Sequence, residues 1–216
     1  MTASGYPVYA PAERWADGVV HGLGVLFALT GAALLVTHAE GPPAVAVGVY
    51  AVALIATFLA SAAYHMTPWD APRPWLRRLD HAAIFLKIAG TYTPLVVLVG
   101  GALAYAVLAA VWIIAVAGAV AKIAFWRNPG RWGLALYLVL GWLCLPLLWP
   151  LATTLPVPAS VLVAVGGLLY TAGTVFFAWD SLRFSNAIWH GFVLAASACF
   201  FAAIAVATLG AQTLGA

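Results

Sequence analysis

Residues 43–65 read PAVAVGVYAVALIATFLASAAYH. No charged residue interrupts this stretch before His65, and no turn signal follows Pro43. An apolar run of this length is what a helix needs to cross a bilayer, which takes about 20 residues. Strands of a membrane barrel would alternate polar and apolar positions, and this run does not. The same pattern recurs outward in both directions. Seven spans are predicted, at 19–37, 43–65, 81–99, 102–124, 133–152, 157–179 and 187–209. The composition agrees: 65% hydrophobic, 7% charged, with a mean hydropathy of +1.04. Soluble domains carry about 25% charged residues. The fold class expected is an all-α, seven-helix transmembrane bundle forming a single domain over residues 1–216. The connections are too short to hold a soluble domain, and no cleavable signal precedes the first span.

The breaks lie where such a bundle needs them. Gly41-Pro42-Pro43 divides spans one and two, Pro68, Pro72 and Pro74 fill the next connection, and Asn128-Pro129-Gly130 marks a turn before span five. Pro146 and Pro150 predict a kink or an early end within span five. Arg14, Arg73, Arg77, Arg78, Lys122, Arg127, Arg131 and Arg183 all fall at alternate connections, and the other connections hold no Lys or Arg. By the positive-inside rule the N-terminus is expected in the cytoplasm and the C-terminus outside. Trp69, Trp75, Trp126, Trp132, Trp179 and Trp189 crowd the same edge, as an interfacial belt does. The net charge of +3 is accounted for by these loops. No nucleic-acid motif accompanies it, so a nucleic-acid partner is not expected.

This topology brings a set of ionisable residues to one depth. His65 ends span two, with Ser61 one turn earlier on the same face. Asp80 and His81 begin span three, and Asn186 and His190 form an i, i+4 pair at the start of span seven. Ionisable groups at membrane depth are costly and usually functional. Each residue alone could equally cap a helix or meet headgroups, but the convergence of the set favours a site. Imidazole and carboxylate are good ligands for zinc and related ions. A metal lowers the pKa of water from about 15.7 to about 7. Asp80 could bind the metal directly, or accept a proton from the water, and Ser61 could orient water or substrate.

Ser61-Ala62-Ala63-Tyr64-His65 matches the Ser-x-x-x-His signature of the hemolysin III and progestin/adipoQ receptor family. Leu79 through Phe85 and Ala89-Gly90-Thr91-Tyr92-Thr93-Pro94 resemble its third-helix motif, and Glu13, Asp17 and His21-Gly22-Leu23-Gly24 its N-terminal motif. Ala135 through Leu138 with Gly141-Trp142, Gly166 through Gly173, and Ala187-Ile188-Trp189-His190 are similar to its fifth, sixth and seventh helices. The resemblance implies a zinc site at the cytoplasmic side, a membrane-lipid substrate, and residence in the bacterial inner membrane. It makes His65 and His190 metal ligands, Asp80 the water partner, and Ser61 a site residue. Relatives include receptors, ceramidase-like lipid amide hydrolases, and bacterial proteins linked to membrane homeostasis or hemolysis. The implied function is lipid amide hydrolysis or a regulatory role on the same scaffold. The competing class is a non-enzymatic receptor, channel or transporter.

Two departures matter. Asn186 stands where the resemblance calls for the first histidine of a His-x-x-x-His pair, and Phe200 stands where a further histidine is common. An amide oxygen is a poor substitute for imidazole on zinc. Asp80 could then become the third ligand, or His81 could turn inward. Lys87 lies on the Asp80 face about 10 Å deeper, at about 1.5 Å per residue. Its ammonium could pair with Asp80 in the metal's stead, or face a water-filled cavity or snorkel to the interface. A retinal linkage fits poorly, because a rhodopsin lysine belongs on the last helix. Asp17 and His21, also spaced i, i+4, read as a structural pair at the start of helix one, with cavity lining by His21 as the alternative. Cys144 and Cys199 read as small packing residues.

Overall fold

The chain, described by a computed structural model, folds into helices only among the described residues, which are 6–7, 9–125, 132–179 and 181–213. In order these are α1 (Pro11–His38), α2 (Pro43–Met66), α3 (Arg73–Val99), α4 (Ala102–Ala124), α5 (Trp132–Trp142), α6 (Leu148–Thr154), α7 (Val157–Phe177) and α8 (Ser185–Thr213). Seven spans are long and apolar enough to cross a membrane, the fifth being composed of α5, a 3-10 turn at Leu145–Leu147 and α6. The expected break at Pro146 is therefore present, because proline removes a helix hydrogen bond and its ring crowds the preceding turn. Trp126, Arg127, the Asn128-Pro129-Gly130 turn, Arg131 and the Trp132 side chain lie outside the described residues.

Two helices begin earlier than their hydropathy suggests. α1 starts at Pro11, whose fixed φ suits a first helical turn. Glu13 then anchors that end: its carboxylate accepts the Ala10 N–H at 2.9 Å and the Phe184 N–H at 2.9 Å. α3 starts at Arg73-Pro74, so Asp80 lies about two turns inside the helix instead of at its tip. The early turns of both helices carry charged residues that hydropathy counts against a span.

α3 is the most buried span and packs beside α2, α4 and α8, while α1 closes against α2 and α8. Small residues set these contacts, as is usual where lipid supplies no drive to bring helices together. A Cβ on Gly90 would stand 2.6 Å from the Ala53 Cβ, and one on Gly24 would stand 2.5 Å from the Phe58 ring. Outward-facing Ile113, Val45 and Trp149 are 70%, 79% and 78% exposed, a surface that suits lipid and not water. The half of the bundle holding Leu35, Val47, Leu54, Val96, Leu151 and Ile204 is a closed apolar core. The polar groups concentrate at the other end.

Candidate metal centre

Four helices deliver that polar cluster. α1 supplies Asp17 and His21, α2 supplies Ser61 and His65, α3 supplies Asp80 and His81, and α8 supplies Asn186 and His190. The Asp17 carboxylate stands at its middle. One oxygen is 2.8 Å from Nδ1 of His190, and the other accepts the Asn186 amide N–H at 2.8 Å. Nδ1 of His21 is 3.5 Å and Nδ1 of His65 3.8 Å from the same carboxylate. Burying a carboxylate is costly unless such donors surround it.

Hydrogen bonds imply which ring nitrogens present a lone pair. Nδ1 of His21 donates to the Asp17 carbonyl at 2.8 Å, which leaves Nε2 as an acceptor facing Ser61 Oγ at 3.3 Å. Fixing a histidine through its second nitrogen is the usual support for a metal ligand. Nδ1 of His65 faces Asn186 Nδ2 at 3.3 Å and Tyr6 Oη at 3.1 Å. An amide nitrogen only donates, so this Nδ1 accepts. Burial raises the Tyr6 pKa, so its hydroxyl stays protonated and donates here. The ring centroids of His21 and His190 are 4.3 Å apart, those of His65 and His190 4.5 Å, and those of His21 and His65 5.1 Å.

Asp17, His21, His65 and His190 each offer a ligand atom, all within 4.8 Å of one another. A tetrahedral ion with bonds of about 2.0–2.2 Å holds its ligand atoms about 3.4 Å apart. Small side-chain rotations close that difference, and three imidazoles with a carboxylate are suitable zinc chemistry. The donor set therefore fits a divalent ion. It is not the set implied by the resemblance alone: α1 supplies what α8 lacks at Asn186. The Asn186 side chain donates its amide to Asp17 and His65, so it supports the cluster through hydrogen bonds.

Asp80 lies behind His65, with its Oδ2 3.9 Å from Nε2. It also meets the Ser61 hydroxyl and lies 3.5 Å from Nδ1 of His81. It is outside the four-residue group, in the place of a partner to water or to His65. His81 bonds through Nδ1 to the Arg77 carbonyl at 2.9 Å, and is likewise outside the group. Of the readings open to Lys87, the pair with Asp80 is not formed among the described contacts. The Lys87 ammonium crosses to α8 and donates to Ser197, with Phe58 and Tyr170 rings 4.9 and 5.1 Å away. A hydroxyl and two aromatic faces satisfy it at its own depth. Asp17 and His21 do pair, as their spacing suggests, but they also belong to the cluster. The available signal was their shared membrane end with His65 and His190.

A cavity of about 370 Å³ opens onto the cluster, with Asp17, His65, Asn186, Tyr6, Arg14 and Trp15 among the residues of its wall. Its size is within the range of small-ligand sites, about 300–1,000 Å³.

Comparison with known proteins places the arrangement in context. Residues 11–201 match the family described as haemolysin-III related. Hemolysin-3 of Bacillus cereus is 36% identical over 194 residues, covering 88% of this chain and 89% of its own. A hemolysin-3 homolog of Bacillus subtilis (strain 168) is 35% identical, with 88% and 91% covered. The monocyte to macrophage differentiation factor of Homo sapiens is 28% identical, with 89% and 83% covered. With a match that spans most of its length and takes in the helices that carry the cluster, the chain belongs to the haemolysin-III related family.

Proposed function

We propose that this chain is a metal-dependent hydrolase acting on an acyl linkage, an amide or related bond, of a membrane lipid. The observation that carries the reading is the buried group of Asp17, His21, His65 and His190 beside an open cavity. These four residues would hold the ion, with zinc the metal that best suits the donors, and water would have to enter as a further ligand. Such an ion supplies Lewis-acid polarisation of a carbonyl and a lowered pKa for water.

The chain's own residues do the rest. Asp80, with Ser61 orienting its carboxyl, would accept the proton of an attacking water that reaches the His65 side of the cluster, and would return it to the leaving group. Asn186 keeps the Asp17 carboxylate turned toward the imidazoles. The Tyr6 hydroxyl, which donates to His65 Nδ1 here, would be free to meet a substrate oxygen once that nitrogen turned to an ion. The basic residues gathered at this end support a cytoplasmic site in a bacterial plasma membrane.

A transporter or channel is the second class. The apolar core of the opposite half argues against it, since the described polar side chains thin out beyond the Lys87–Ser197–Tyr170 group. A receptor would keep the cluster without turnover. Elemental analysis of the purified protein, with release of fatty acid from lipid amides as a second readout, tests the reading. A stoichiometric metal with turnover supports it. A protein without metal and without turnover after zinc addition overturns it.

A further inference from the structure

The cavity that reaches the metal centre carries one charged side chain with no ion-pair partner among the described residues. Arg14 lies on its wall, is exposed, and joins no ion pair among the described residues. The acids nearby are committed elsewhere. Glu13 caps the Ala10 and Phe184 N–H groups, with Arg183 facing it, and Asp17 is held by His190 and Asn186. Next to Arg14, Trp15 is 76% exposed, an aromatic side chain suited to the headgroup level. Tyr6 and Asn186 add neutral polar groups to the same wall.

We infer that this cavity binds a lipid whose headgroup is an anionic phosphodiester with no cation of its own, read by the Arg14 guanidinium. The inference rests on the hydrolase reading and narrows its substrate class. A guanidinium meets phosphate through N–H bonds, and its positive charge favours a headgroup of net negative charge over a zwitterionic one, whose own cation already faces the phosphate. Arg14 precedes Asp17 by three residues, a rise of about 4.5 Å along the helix. In a phospholipid the nearest acyl carbonyl lies a few bonds beyond the phosphate. A phosphate held at Arg14 would leave that carbonyl within the same cavity as Asp17 and His65, with the acyl chains free to run past Trp15 into the bilayer.

The test uses the purified full chain in detergent. Dihexanoyl phosphatidylglycerol, dihexanoyl phosphatidylcholine and inorganic phosphate are titrated below their micellar concentrations, against the unmodified protein, Arg14→Gln and Arg14→Lys. Metal content is measured in every sample. The unmodified protein is expected to bind phosphatidylglycerol about tenfold more tightly than phosphatidylcholine, a preference lost in Arg14→Gln and largely kept in Arg14→Lys. Equal binding of the two lipids, or a preference that survives Arg14→Gln, overturns the inference. Inorganic phosphate binding as tightly as phosphatidylglycerol overturns the lipid assignment and leaves a small-anion site. Loss of metal with the Arg14-dependent preference intact would count against the hydrolase reading alone.

Discussion

Replacing Asp17 with Asn separates a metal centre built on helix one from one that helix one merely adjoins. The carboxylate accepts two short bonds, from His190 Nδ1 and Asn186 Nδ2, each at 2.8 Å. Hydrogen bonds to a charged group contribute about 1.5–3 kcal/mol each. The amide of the variant keeps one oxygen and turns an NH2 group toward a neighbour that itself donates. One of the two bonds is lost and a buried donor is left facing a donor, so a destabilisation of about 2–4 kcal/mol is expected. For zinc the loss is larger in kind, since an anionic ligand becomes a poor neutral one. Affinity should fall at least about 100-fold, equivalent to about 2.7 kcal/mol. The assay is zinc titration with a competing chelator at one pH and one detergent, with thermal unfolding of the metal-free protein measured in parallel. Asn186→His in the same background should recover much of the affinity, because it returns an imidazole one turn before His190. His38→Ala, at the far end of α1, should change nothing. Zinc affinity in Asp17→Asn within about threefold of the unmodified protein, or a partner substitution that fails to interact with it, would refute the ligand role of helix one.

Other outcomes follow from the same geometry. Asn186→His alone should bind zinc more tightly than the unmodified chain, read by the same titration, although it forfeits the amide bond to Asp17. Lys87→Met should leave metal content unchanged, since Lys87 bonds to Ser197 and not to the cluster; a loss of metal would return it to the site. Gly24→Ala drives a Cβ to within 2.5 Å of the Phe58 ring, and should lower stability by about 1–3 kcal/mol as overpacking does. Reporter fusions at the two termini should give opposite signals, with the N-terminus cytoplasmic; both ends on one side would contradict an odd number of spans.

The number of spans and most of their inner limits could be read directly from the chain. Continuous hydropathy is a local property, and a bilayer imposes its thickness on each segment separately. The shared depth of His65, Asp80 and His190 followed from the same count, because alternate helix ends lie at one side. The Asn186 departure was also legible, as was the common face of Asn186 and His190 one turn apart. What the linear order did not decide was which neighbours those faces meet. Only the packing of α1 between α2 and α8 turns Asp17 and His21 from a local i, i+4 pair into the centre of the cluster. Lys87 shows the same limit in reverse. Its helical register points toward Asp80, but its flexible stem reaches Ser197 on a helix more than a hundred residues away in sequence. Hydropathy and helical period are set within a few turns of chain, whereas ligand sets and hydrogen-bond partners are set by side chains meeting across helices, and those distances exist only once the bundle has closed.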